Sequence, residues 1–243
     1  MTSAPLRQQR RLIDLQSLDS RLARLTHERT HLPVLSRIEA TVGRLRSNRR
    51  DAAVVAGALA DAKAEAARAE GEVGQVVRRA AILRERLSSG TAAARDLSAI
   101  QGEIDQLGRR QSVLEDAQLT AMEAMESAQA EADRLAAEEQ EIRAAGRELT
   151  ATRDAEFLRL DGEIERLRAR RAELAGTIDA ALLDEYEAAR AATGGIGAIA
   201  LYGRRVEGAV EISPAEHARI AAAPQDAVIH AEANDVILVR MEE

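Results

Sequence analysis

Residues 97–114 read LSAIQGEIDQLGRRQSVL. Leu97, Ile100, Ile104, Leu107 and Leu114 follow one another at steps of three and four, with Gln111 taking one place in the series. Apolar residues spaced in this way lie on one stripe of a helix, and a mean period near 3.5 winds that stripe around a partner helix. The pattern extends in both directions. Upstream, Leu15, Leu18, Leu22, Leu25 and Leu32 lead into Ile38, Val42, Leu45, Ala52, Val55 and Leu59; downstream, Leu160, Ile164, Leu167, Leu174 and Ile178 continue it with Arg171 in the seam. The other faces carry Glu, Asp, Arg, Gln and Ala. A narrow apolar stripe held over so many turns specifies coiled coil rather than globular helices.

Ser88-Ser89-Gly90-Thr91 breaks the pattern. It predicts one helix over about 6–87, a turn near 88–94, and a second helix over about 95–191 that stops at Thr193-Gly194-Gly195. Two long helices on a short turn make an antiparallel hairpin occupying 1–193, with arms about 120 Å long at about 1.5 Å per residue. A turn centred near 90 places position i opposite about 180 − i. Pro33 lacks a backbone donor, so a kink is expected there, with Gly146 in the facing zone. Gly71 and Gly74 should oppose Gly102 and Gly108, loosening the tip or allowing close approach.

Composition agrees. Of 243 residues 46% are apolar, but only Phe157, Tyr186 and Tyr202 are aromatic, which argues against one large compact core. Lys63 is the only Lys beside 33 Arg, and Ala makes up about a fifth of the chain. The absence of Cys excludes disulfides, a thiolate nucleophile and any Cys-based zinc site. A net charge of −7 argues against a general polyanion binder. No segment reaches the roughly 18 apolar residues of a membrane span. Met1 to Leu12 lacks the apolar run of a secretory signal, so the expected location is cytoplasmic.

Charge also supports the hairpin. Residues 1–50 hold 11 Arg and four acids. Arg44, Arg46, Arg49 and Arg50 fall opposite Glu131, Asp133, Glu138, Glu139 and Glu141 under the pairing rule. Opposite charges flanking a seam fix orientation and register, so an interhelical charge zone is expected there.

The last 50 residues change character. Ala198–Tyr202 reads as a strand, Arg204–Ala209 as a turn, and Val210–Ile212 as a second strand. Ser213-Pro214 opens a short helix to about Ala222. Ala227–His230 and Val236–Val239 form a hairpin, for which Asn234-Asp235 supplies a turn able to adopt positive φ. A β-rich module this small usually depends on a metal or disulfide.

Several segments resemble one family: Arg10-Arg11-Leu12-Ile13-Asp14-Leu15, Leu32-Pro33, Asp96–Ile104, Arg109-Arg110-Gln111, Gly195-Ile196-Gly197-Ala198, Tyr202-Gly203-Arg204-Arg205, Ile212-Ser213-Pro214 and Ile237-Leu238-Val239-Arg240. The chain is similar to bacterial C4-type zinc-ribbon proteins with an N-terminal helical hairpin, in their actinobacterial form. The resemblance implies a ribbon at 194–243 with a Cys-x-x-Cys pair on each of two turns. The matching positions here are Val206, Ala209, Ala231 and Asn234, so all four zinc ligands are absent. The fold expected is therefore mainly α: a long antiparallel coiled-coil helical hairpin followed by a small zinc-ribbon-like module without zinc. Val206 and Ala209 would help fill the vacated space beside Ile199, Leu201, Val210, Ile212, Ile220, Val228, Ile229, Ile237 and Val239.

No catalytic or cofactor motif is present. Gly194-Gly195-Ile196-Gly197 precedes a strand without Lys-Ser/Thr and reads as a linker. His217 and His230 share no ligand spacing, and His27 and His31, four apart, lack a carboxylate motif beside them. The expected role is a non-catalytic adaptor or chaperone-like interaction protein with no cofactor. The resemblance implies links to RNA, an alternative sigma factor, or type III and flagellar export parts. Nucleic-acid binding through the ribbon is the alternative, opposed by four bases against eight acids in 195–243. A purely structural coiled coil is the third reading, and its Ala-rich outer faces permit a homodimer.

Overall fold

The structure is a computed structural model that describes residues 3–90, 94–207 and 212–241. A long helical hairpin is followed by a small sheet. Its elements are α1 (Leu6–Thr30), α2 (Pro33–Ser88), α3 (Ala94–Ala175), α4 (Ala180–Ala192), β1 (Ala198–Tyr202), β2 (Arg205–Val206), α5 (Pro214–Ala222), β3 (Ile229–His230) and β4 (Ile237–Met241).

Each arm read as one helix is two. Pro33 does not kink a continuous helix; it stands at the first position of α2, where its missing N–H is one that no helix would satisfy internally. The second arm breaks at Gly176–Asp179, and Asp179 caps α4 by accepting the N–H groups of Ala181 and Leu182. The expected turn at 88–94 contains Gly90 at φ +65; positions 91–93 lie outside the described residues.

The chain forms two compact units, Met1–Leu35 with Ala151–Glu243, and Ser36–Thr150. The boundary expected at 193/194 is thus not a boundary between compact units. The sheet needs an apolar surface for its inner face and finds it on the helices that precede it.

In the 36–150 unit, the seam buries Leu83, Ile100 and Ile104 against Leu87 and Leu107. Arg79 pairs with Glu103 at 2.9 Å and Arg49 with Glu139 at 2.8 Å. Thr41 approaches Gly146, with 3.7 Å between its methyl and the place a Cβ would occupy. The pairing therefore runs a few residues beyond 180 − i. The turn centre lies past Gly90, and long flanking side chains reach into the next helical turn. Gly146 accordingly faces Thr41 rather than the Pro33 zone. Gly71, Gly102 and Gly108 have open space where a Cβ would stand, so none of them serves a close approach.

Asn48 interrupts this seam. Only 4% exposed, it donates from Nδ2 to the Leu135 carbonyl at 3.2 Å, while its Oδ1 has no partner. A half-satisfied amide between helices costs stability and penalises other registers.

In the other unit the strand order is β2-β1-β4-β3, with β1 parallel to β4 and the outer pairs antiparallel. Alternation divides the strands between two layers. Ala198, Ile237 and Val239 pack on Leu12, Leu15, Ile178, Leu182 and Tyr186. Leu201, Ile229 and Leu238 pack on Ile220 and Ala231. β2 falls within the stretch read as a turn, because Val206 pairs with Leu201. Positions 210 and 211 of the expected second strand lie outside the described residues. The β3–β4 hairpin turns with Asp235 at φ 60.

Asn48→Leu should raise stability by about 1 kcal/mol or more, read by urea unfolding, while weakening the preference for a single register. A loss of stability would mean that the Asn48–Leu135 bond outweighs the orphaned oxygen.

Candidate functional site

The densest polar constellation is buried at the base of the hairpin. The Asp19 side chain is 1% exposed. Arg171 donates to both its oxygens, the nearer bond measuring 2.5 Å, and the Tyr186 hydroxyl donates at 2.8 Å. Arg190 Nε lies 3.4 Å from the same carboxylate, and Glu187 holds both arginines on their outer side. Arg171 explains the charged place in the apolar seam: its guanidinium is consumed by an acid on α1. Burial, then the hydrogen bond to Asp19, pushes the Tyr186 phenol well above the ordinary tyrosine range, and Asp19 in turn raises Arg171.

Gln16 ties this network to the sheet. Its Oε1 accepts the Gly197 N–H at 2.7 Å and lies 3.2 Å from the Tyr186 hydroxyl, while its Nε2 donates to the Gly195 carbonyl at 3.0 Å. Gly197 is required here, since a Cβ would sit 2.5 Å from the Tyr186 ring. The segment read as a linker is held by Gln16 at Gly195 and at Gly197.

In the terminal module, Val206 and Ala231 join the apolar cluster around Leu201, Ile220 and Leu238. Asn234 is exposed and accepts the Val236 N–H at 3.4 Å; Ala209 lies outside the described residues. Two further polar groups bind α5 to its neighbours. Glu216, 4% exposed, accepts the Glu232 N–H at 2.9 Å. Arg240 donates to the carbonyls of Ile220, Ala223 and Pro224 at 2.7, 3.2 and 2.9 Å, satisfying the free end of the helix. His230 Nδ1 donates to the Asp235 carbonyl at 2.9 Å, and its Nε2 lies 3.3 Å from Glu185. Among the described residues, no three His, Asp or Glu are grouped to hold a metal. His27 on α1 and His31 just past its end stack at 3.9 Å on the surface.

The expected charge zone contracts to a single interhelical pair. Arg49 reaches Glu139, whose carboxyl is held below the usual range first by Arg49 and then by Arg143. Glu131 and Glu138 instead pair with Arg134 on their own helix, and Asp133 accepts from Gln129. Arg44, Arg46 and Arg50 are exposed and make no ion pair among the described residues. Partners three or four residues along one helix are already in place, so they win over partners across the seam.

The CT398-like coiled coil hairpin domain matches residues 15–194. The chain belongs to that family. Within it, the chain is 33% identical over 245 aligned positions to an uncharacterized protein of Mycobacterium tuberculosis, covering 98% of each. It is similar to a solved structure from Mycobacterium smegmatis at TM-score 0.85 and 32% identity, covering 99% of this chain and all of that one. CT398 from Chlamydia trachomatis shares the fold at TM-score 0.66 and 14% identity, covering 96% and 98% of the two chains. HP0958 from Helicobacter pylori shares it more loosely, at 0.53 and 12%, over 99% and 100%. No helix among the described residues is long and apolar enough to cross a membrane.

Sequence reading missed Gln16, Asp19, Arg190, Glu216 and Arg240. Arg171 in the seam and Tyr186 among three aromatics were the available signals, but neither names its partner. Asp19→Ala should cost about 1.5–3 kcal/mol in urea unfolding by removing the charged hydrogen bonds at the centre of the clasp, and Tyr186→Phe about 1 kcal/mol. The raised phenol contributes stability below about pH 10 that is lost as pH climbs through its folded value, so Tyr186→Phe should also delay alkaline unfolding. A neutral result for Asp19→Ala would refute the clasp.

Proposed function

We propose that this family member is a non-catalytic binding scaffold, an adaptor or chaperone-like protein that works in the cytoplasm without a cofactor. The observation that carries this reading is that the polar side chains placed against the sheet serve the fold. Asp19 and Glu216, which are buried, and Gln16 and Arg240, which are half-buried, are engaged with protein donors or acceptors. A general acid, base or nucleophile must instead present a reactive atom to substrate.

The terminal module is read as a zinc-ribbon-like domain that has dispensed with metal. The groups at the matching positions do not fit zinc. Val206 and Ala231 offer no donor atom and lie in the apolar cluster, and the Asn234 amide is a poor zinc ligand. Glu216 and Arg240 hold the strand layer and α5 together, as a metal would have done. Nucleic-acid binding through the module is the second reading; its excess of acids over bases disfavours it.

Two measurements bear on this. Thermal unfolding of the full chain should be unchanged by a chelator or by added zinc; a zinc-dependent rise in midpoint would overturn the metal-free reading. Affinity capture of the tagged full chain from its native cell should recover a specific protein partner at stable stoichiometry. Recovery of nucleic acid alone, or of a second copy alone by light scattering, would replace the scaffold with the alternatives.

A further inference from the structure

We infer that the paired α1 and α3 segments of the base carry a docking groove for an acidic helix, with Arg21, Arg24, Arg166 and Arg170 as its basic rim. This rests on the scaffold reading and adds the chemistry of the partner. Arg21 and Arg170 line one groove of about 500 Å³ together with Ser17, Leu18 and Leu174. Arg24 stands three residues after Arg21, and Arg166 four before Arg170, so each pair shares a helical face. All four are exposed.

They differ from the arginines beside them on these helices in having no counter-ion. Their neighbours are neutralised: Arg29 by Asp161, Arg159 by Glu28, Arg168 by Glu165 and Arg171 by Asp19. Arg21, Arg24 and Arg170 have no hydrogen bond or ion pair among the described residues, and Arg166 donates only to the Gly162 carbonyl. Four like charges on adjoining faces repel one another and attract an anionic partner.

The groove favours a protein over a nucleic acid. Asp14 and Glu173 also line it, two turns from Arg21 and one turn from Arg170 respectively. A phosphate chain carries unbroken charge and would meet these carboxylates. A helix can place discrete acids over the arginines and set an apolar side chain against Leu18 and Leu174.

The test uses fluorescence anisotropy on the full chain with three probes: a synthetic helical peptide with a Leu seam and Glu flanks, the same peptide with Lys flanks, and an oligothymidylate of equal charge. The Glu peptide should bind, more weakly as salt rises. Joint substitution of Arg21→Glu and Arg170→Glu should weaken it at least tenfold, with the Lys peptide then preferred. Arg44→Glu with Arg50→Glu, in the other unit, should leave binding unchanged. Circular dichroism checks folding, and Arg21→Gln with Arg170→Gln replaces the reversal if that variant fails to fold. Absence of Glu-peptide binding, or equal binding by the variant, overturns the groove; if native partners are still captured, the scaffold reading stands without it. Tighter oligothymidylate binding lost in the same variant assigns the patch to nucleic acid and also overturns the proposal.

Discussion

A single buried carboxylate holds the base of this molecule together. Asp19 is shut away from water, and Arg171, Arg190 and Tyr186 surround its carboxylate. Those partners come from the end of α3 and from α4, which makes the clasp a three-helix junction. Gln16, one turn earlier on α1, extends the same network into the backbone that opens β1. The sheet inherits its position from that contact.

The terminal module is stabilised from two sides. Its inner face shares a core with α1 and α4, and its outer face shares one with α5. A free-standing module of this size would be short of buried area. Attached to the helices, it becomes one layer of a larger unit, and Glu216 and Arg240 fix the remaining helix by meeting backbone groups that would otherwise be left unsatisfied.

The hairpin and most of the terminal module were legible because they rest on periodicity. Leu97 to Leu114 declares a seam, Ser213-Pro214 declares a helix start, and Asn234-Asp235 declares a turn. The failures have one cause. Whether Arg49 or Arg44 finds an acid, and whether Pro33 sits inside a helix or at its first position, depends on register and local competition, to which a charge count is blind. Arg134 captured Glu131 and Glu138 from its own helix before any arginine across the seam could. Asp19 was harder still, since its partners stand 152 and 167 residues away and carry no shared motif.

That separation has a consequence for synthesis. Arg79 and Glu103 are 24 residues apart, so the contacts beside the turn close a short loop. The Asp19 clasp closes a loop several times longer, and its partners are made 152 and 167 residues after it. Loop-closure entropy and the direction of translation then agree on an order: the hairpin zips from its turn, and α1 waits until α4 has been made. During that wait Leu12, Leu15 and Asp19 have no interior to enter. The base is thus the last part of the protein to become native, and its earliest-made helix is the one that stays unpartnered longest.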